Sequence, residues 1–152
     1  MVGRTNCCTG SVKEEFYVYN SGTYNVKFTS LSLDDFSLNK SGYLYAYYYV
    51  ANGGETYTSR ANSASIDMTN YSKLKIYGHA TTSGTSYGLV GIGQSNTSST
   101  NTTYKKMVTL GTTDAWYELD LRDITGNQII SVGGNLVGKG NYKTYIKQLI
   151  LV

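Results

Sequence analysis

The sequence contains few charged residues and no basic cluster, and this shortage excludes one class of protein. Charged side chains make up 15% of its 152 residues, against about 25% in an average globular protein. The only adjacent basic pair is Lys105 and Lys106, and the formal net charge is +3. Nucleic-acid binding requires a concentrated basic patch, so no nucleic-acid partner is predicted.

Cysteine and long apolar runs are also scarce. The only cysteines are Cys7 and Cys8, which bridge each other only with strain, because disulfides join Cα atoms about 5.5–6 Å apart. We interpret them as free thiols, with an intermolecular disulfide as the weaker alternative. No apolar run approaches the roughly 18 residues that a membrane span needs. The N-terminus, "MVGRTNCCTG", lacks the hydrophobic stretch of a signal peptide, so a virion or extracellular location implies another route, such as particle assembly and lysis.

Enzyme signatures are missing as well. The sequence has no HExxH, GxSxG or Walker motif. His79 is the only histidine, and we interpret it as a surface or satisfied polar residue of a strand. None of the acidic residues stands in a distinctive context, and Asp67 is interpreted as a turn cap. We therefore predict no enzyme activity, no catalytic residues, no metal site and no cofactor.

The residues that are abundant favour strands. Tyrosine, threonine and valine suit strands, while glycine, asparagine and serine suit the turns between them. Period-two alternation predicts about ten short strands, namely Phe16–Asn20, Thr23–Phe28, Tyr43–Val50, Ala64–Met68, Leu74–Ala80, Tyr87–Ile92, Lys105–Leu110, Trp116–Leu121, Gln128–Gly133 and Tyr145–Val152. The segment "NSG" predicts a hairpin turn. Residues Gly93–Thr103 are predicted to form an exposed loop, and "DLRDITG" is predicted to contain at most one helical turn. We expect an all-β antiparallel sandwich or barrel.

One domain is expected for a chain of this length. Residues 1–12 are predicted to form an N-terminal arm or a poorly ordered start, and residues 13–152 a single sandwich domain. The alternation also predicts a core made of Val26, Phe28, Leu44, Ala46, Tyr48, Val50, Ile66, Met68, Leu74, Ile76, Leu89, Val108, Leu110, Leu119, Leu121, Ile130, Val132, Ile146 and Ile150.

The stretch "GYLYAYYYVANGG" suggests a contact surface. Alternation places Tyr43, Tyr45, Tyr47 and Tyr49 on one face of a strand and a buried row on the other. This tyrosine row has three interpretations. It pairs across strands with other aromatics, Tyr17, Tyr19 or Tyr77, it stacks on sugar rings, or it forms a subunit interface, where tyrosine is enriched. Trp116 is predicted to lie in the core or, as the alternative, to line a ligand or interface contact.

Four motifs in order resemble a known family. They are "IDMTNYSKLKIYG", "GLVGIGQS", "AWYELDLRDITGNQIISVGG" and "TYIKQLILV", running from residue 66 to the end. The set resembles the small jelly-roll domains, galactose-binding-like or carbohydrate-module-like, of tail and other structural proteins of tailed phages of Firmicutes. The sequence departs from that pattern in "NQIISVGG", where an aromatic is expected near Ile129, and in its short length.

The resemblance implies an antiparallel jelly-roll β-sandwich that acts as a non-enzymatic structural and adhesive module of a phage-like particle. We expect its partner to be a host-surface glycan, contacted by Tyr45, Tyr47 and Tyr49 and by loop asparagine, serine and threonine groups. Tyr43 and Trp116 are further candidates for this contact. The alternative is self-assembly as a homo-oligomer, in capsid decoration or a filament, through the same face. A structural calcium ion is common in jelly-roll modules, and "SLDD" and "DLRD" offer carboxylates. Neither has the regular acidic spacing of a calcium loop, so calcium is not indicated.

Overall fold

The computed structural model describes residues 14–30, 36–50, 55–84, 86–93, 104–137 and 140–152. Within these ranges the chain is all-β and forms thirteen strands. They are β1 (Phe16–Asn20), β2 (Thr23–Tyr24), β3 (Phe28–Ser30), β4 (Phe36–Lys40), β5 (Tyr43–Val50), β6 (Glu55–Ser63), β7 (Ile66–Asp67), β8 (Lys73–Ser83), β9 (Tyr87–Gly93), β10 (Lys106–Thr109), β11 (Ala115–Asp120), β12 (Asn127–Val137) and β13 (Gly140–Leu151).

The first sheet has seven strands around a central antiparallel pair, β8 and β13. β11 pairs with the outer edge of β8. The other edge of β13 carries two hairpins: β5, with β4, pairs with residues 140–146, and β1, with β2, pairs with residues 148–151. Along this edge, β13 therefore has β5 as its neighbour in the first half and β1 in the second half.

The β1–β2 hairpin confirms the predicted turn at "NSG". Ser21 and Gly22 both have positive φ, 47° and 101°, the pattern of the type I′ turn that matches strand twist. After β2 the chain leaves the first sheet and continues as β3 in the second. At this crossing the backbone N–H of Asn25 donates to the Val18 carbonyl and its side-chain amide donates to the Tyr17 carbonyl. The single predicted strand Thr23–Phe28 is therefore two strands in different sheets.

The second sheet has six strands, in the order β10-β9-β12-β6-β3, with β7 paired to the start of β12. Both sheets are antiparallel and their inner faces enclose one core. None of the described residues forms a helix that could span a membrane. Residues 1–13, with Cys7 and Cys8, lie outside the described residues, as do residues 94–103 of the predicted loop.

The predicted core is largely confirmed. Of the residues assigned to it, Val26, Ile66, Val108 and Leu110 are only partly buried against it, and the side chains of Tyr48 and Val50 lie outside the described ones. The others are buried. Buried apolar residues that the alternation did not assign include Val18, Tyr19, Ala61, Val90, Ile92, Ile124, Tyr142, Leu149 and Leu151.

A β-bulge in β13 explains the change in which side chains face inward. The register of β13 against β8 shifts between Ile146 and Gln148, so Lys147 is the extra residue. Strict alternation predicts that Ile146 and Ile150 share the inner face. Beyond the bulge the inward positions are instead Leu149 and Leu151, and Ile150 is buried outside the core cluster.

Candidate functional site

The predicted contact residues all belong to the first sheet, but they differ in exposure. Tyr49 is 48% exposed and Trp116 is 49% exposed, while Tyr43 and Tyr47 are partly buried. Tyr45 is only 2% exposed. The prediction that Tyr45 belongs to an open row of phenols is therefore wrong, and so is the preference for Trp116 as a core residue.

Tyr45 is covered because strands flank β5 on both sides. It pairs with Tyr145 of β13 on one edge and with Ser37 of β4 on the other. The ring of Tyr145 leans over it at a centroid distance of 4.9 Å. Alternation predicts the face of the sheet on which a side chain lies, but not whether side chains of neighbouring strands bury it there. In addition, β4 was not predicted. Tyr45 is thus a buried residue that packs under the ring of Tyr145.

The surface above it is a group of five rings that we call the aromatic face: Tyr43 of β5, Tyr77 and His79 of β8, Trp116 of β11 and Tyr145 of β13. Register brings them together, since Tyr145 lies opposite His79, and Tyr77 opposite Trp116. Tyr77 and Trp116 are 5.0 Å apart between centroids. The aromatic face thus crosses four neighbouring strands of the sheet.

A polar cluster lies at the centre of the aromatic face. Asp114, just before β11, contacts both His79 and Tyr43. The Nδ1 of His79 is 2.7 Å from Asp114 Oδ1, and the Tyr43 hydroxyl donates to Asp114 Oδ2 at 2.5 Å. The imidazole stacks on Tyr145 at 4.6 Å and 15°. An ionised carboxylate only accepts hydrogen bonds, so His79 donates through Nδ1, and the rings and carboxylate hold one another in place.

This cluster shifts the pKa values of its acids. Burial acts to raise the pKa of Asp114, but hydrogen bonds from Tyr43 and His79 and the charge of Lys147 outweigh it, so the pKa lies below its usual value. The hydrogen bond to Asp114, aided by burial and by the carboxylate charge, raises the pKa of Tyr43 to about 12. The folded protein therefore favours an ionised Asp114 and a neutral Tyr43.

Tyr43→Phe is expected to lose less stability in alkali than the wild type. Tyrosine in the unfolded chain ionises near pH 10, and Tyr43 in the folded chain near pH 12. The stabilisation from the raised pKa is therefore complete below about pH 10 and lost as the pH rises to about 12, by about 1–2 kcal/mol, because solvent around this partly exposed group screens the interaction. Urea unfolding over this range measures the difference between the two proteins.

Tyr19 and Tyr24, whose pKa values burial also raises, are common to both proteins and cancel in this difference. Tyr49→Phe, at an exposed position, serves as the control and should track the wild type. Parallel loss of stability in wild type and Tyr43→Phe would show that the Tyr43–Asp114 hydrogen bond does not hold in solution.

The tryptophan end of the aromatic face is open to solvent. Trp116 lies against Tyr77 on one side, and the Nζ of Lys75 lies 4.9 Å from its ring centroid. About half of the side chain remains exposed, although an aromatic of this size would contribute greatly to a core. An exposed tryptophan beside other aromatic rings is typical of a contact surface.

A shallow polar groove of about 450 Å³ lies where β8 begins and β11 ends. It is lined by Ser72, Lys73, Glu118, Asp120 and Arg122. Each acid has a cation of its own: Glu118 pairs with Lys73 at 3.4 Å, and Asp120 with Arg122 at 2.7 Å. The hydrogen bond from Arg122 lowers the pKa of Asp120. The charged side chains that line the groove thus neutralise one another in pairs.

Of the two acidic segments considered for calcium, "SLDD" lies outside the described residues. In "DLRD", Asp120 is bound by Arg122 and Asp123 pairs with Lys106 at 2.8 Å. No group of three or more metal-binding side chains occurs in the part of the chain that the structure describes.

Sequence reasoning missed His79, Asp114 and Tyr145 as members of this surface, and it identified Tyr77 only as a possible cross-strand partner of the tyrosine row. Alternation in "KLKIYGHA" already places Tyr77 and His79 on one face of β8. What the sequence does not contain is the register, which sets Trp116 beside Tyr77 and Tyr145 beside His79. Asp114 lies in a turn, where alternation carries no signal.

No protein-family model matches the sequence, and no curated protein is significantly similar to it. A functional assignment therefore has to rest on the aromatic face and on the sequence pattern.

Proposed function

We propose that the protein is a non-enzymatic adhesion module that recognises glycan through its aromatic face. The observation that carries the proposal is Trp116, 49% exposed on the outer surface of a sheet and continuous with Tyr77, His79, Tyr145 and Tyr43. Flat rings stack on the apolar faces of sugars, and a hydroxyl-rich ligand also needs polar partners. The phenol groups supply such partners within the same surface.

The resemblance in the sequence supports a further proposal about the kind of particle to which this module belongs. We place the sandwich among jelly-roll domains, and the module in a phage-like particle as a virion or tail component that meets host-surface glycan. Binding at one copy is expected to be weak, since the surface is shallow. Many copies on one particle would raise the effective affinity, by as much as 10²–10⁴-fold when two or more sites engage together.

Trp116 is the only tryptophan in the chain, so tryptophan emission reports on this surface alone. We expect a saturable change in emission when a panel of neutral and charged polysaccharides is titrated into the protein. An unchanged emission across the panel, together with unchanged heats of mixing, would contradict the proposal. Light scattering on the same samples tests the assembly alternative, which predicts a stable homo-oligomer with Trp116 already shielded and no response to sugar.

A further inference from the structure

We infer that the ligand of the aromatic face is an extended acidic glycan, one that carries carboxylate, sulfate or phosphate groups. The inference rests on the proposed function and specifies the class of glycan. It starts from three lysines on the outer side of the first sheet, Lys75, Lys143 and Lys147, each of which lies over an aromatic ring.

The three lysine–ring pairs have similar distances between the ammonium nitrogen and the ring centroid. The Nζ of Lys75 is 4.9 Å from the ring centroid of Trp116, that of Lys147 is 4.7 Å from Tyr43, and that of Lys143 is 5.9 Å from Tyr47. A ring with an ammonium group over one face brings an aromatic contact surface and an anion-binding group to one place. A neutral sugar would use only the first of these.

The lysines differ from the other described cations near this surface in forming no salt bridge to a carboxylate. Lys73 is paired with Glu118 and Arg122 with Asp120. The Nζ of Lys147 donates a hydrogen bond to the Ser41 carbonyl at 3.4 Å. Asp114, whose pKa is lowered in part by the charge of Lys147, is already bound by His79 and Tyr43. Within the described residues, no salt bridge joins Lys75, Lys143 or Lys147 to an acid. Their charges therefore remain available to an anionic ligand.

The arrangement also indicates the length of the ligand. Lys75 pairs with Ile150 across β8 and β13, so the lysines cover positions 143 to 150 of β13, roughly 20 Å at a strand rise of about 3.3 Å. A single sugar cannot meet lysines this far apart. A glycan chain that crosses the sheet obliquely, from β11 over β8 and β13 to β5, meets all three, with its rings beside Trp116, Tyr43 and Tyr47.

The test compares matched pairs of polysaccharides that differ mainly in charge: polygalacturonate with its methyl ester, dextran sulfate with dextran, and phosphomannan with mannan. Calorimetry is expected to show at least one acidic member binding about tenfold or more tightly than its neutral partner at low salt. The advantage should shrink as NaCl rises from about 50 to about 500 mM, because salt screens exposed charges. The pair that responds identifies the anionic group.

The variant Lys75→Gln/Lys143→Gln/Lys147→Gln should lose this advantage and keep any binding of the neutral partner. Its control is Lys27→Gln/Lys105→Gln/Lys106→Gln, which removes the same charge from positions flanking or within strands of the second sheet. The control should retain the preference for the acidic member. Lys147 lies in the bulge, so Lys75→Gln/Lys143→Gln replaces the triple variant should that one fail to fold.

The outcomes separate the inference from the proposed function. Equal binding of both members in every pair overturns the inference and leaves glycan binding intact, while no binding by any glycan overturns both. A loss in the control as large as in the lysine variant shows nonspecific attraction and overturns the inference. So does tighter binding of a single-stranded oligonucleotide than of every acidic glycan.

Discussion

Gly78→Ala is expected to lower the free energy of unfolding by about 3 kcal/mol or more. A Cβ at position 78 would lie 2.2 Å from the carbonyl oxygen of Tyr145 and 3.1 Å from the Cα of Ile146. These are backbone atoms of β13 beside its bulge, so a side-chain rotation cannot relieve the clash. Either β8 and β13 separate, or the ladder breaks at the centre of the sheet.

The matched control is Gly111→Ala. The nearest atom to a Cβ there is the Tyr117 hydroxyl at 3.3 Å, at the end of a side chain that can move. Its stability should stay within about 1 kcal/mol of wild type. Urea unfolding followed by both circular dichroism and tryptophan emission measures each variant and checks that the transitions coincide.

The absence of a side chain at Gly78 also affects the geometry of the aromatic face. Gly78 stands between Tyr77 and His79, and its missing side chain lets β13 approach closely enough for Tyr145 to stack on His79. If Gly78→Ala and Gly111→Ala unfolded at the same urea concentration, this close approach would be wrong. The stacked pair, and with it the aromatic face, would have to be placed differently.

The fold class could be predicted because alternation is a local property of the chain. The strand Tyr43–Val50 matches β5, and the predicted start of the strand at Tyr87 matches β9. Strands β4 and β6 were missed because "FSLNK" and "ETYTSRANS" have no sustained apolar alternation. Their positions are set by pairing with β5 and β12, which depends on residues far away in the sequence.

The site was harder to predict for the same reason. Tyr43 and Trp116 were both identified as candidates, yet the residues that join them, Tyr77, His79 and Tyr145, come together only through the register of β8. The bulge at Lys147 adds a further shift that no periodic pattern contains. A β-bulge changes the facing of every later residue in its strand, which is why Ile150 was assigned to the core.

Trp116→Ala is expected to weaken glycan binding by roughly tenfold to a hundredfold and to leave the fold intact. Stacking of one ring on an exposed aromatic contributes about 1–3 kcal/mol where it has been measured by alanine substitution, as in nucleic-acid bases on protein rings. Because Trp116 is 49% exposed, its removal exposes only about half of a full aromatic side chain's buried surface and should lower stability by about 1–3 kcal/mol. Calorimetry measures the affinity, since the variant has no tryptophan to emit.

Two other aromatics with the same exposure show where the ligand lies. Tyr87 is 49% exposed on the second sheet, and Tyr49 is 48% exposed at the far end of β5. Tyr87→Ala should bind glycan like wild type, and Tyr49→Ala should lose less than Trp116→Ala. Wild-type affinity in Trp116→Ala with a large loss in Tyr49→Ala would move the contact to the tyrosine row of β5. Equal losses in Trp116→Ala and Tyr87→Ala would exclude a site confined to the first sheet, because those two rings belong to different sheets.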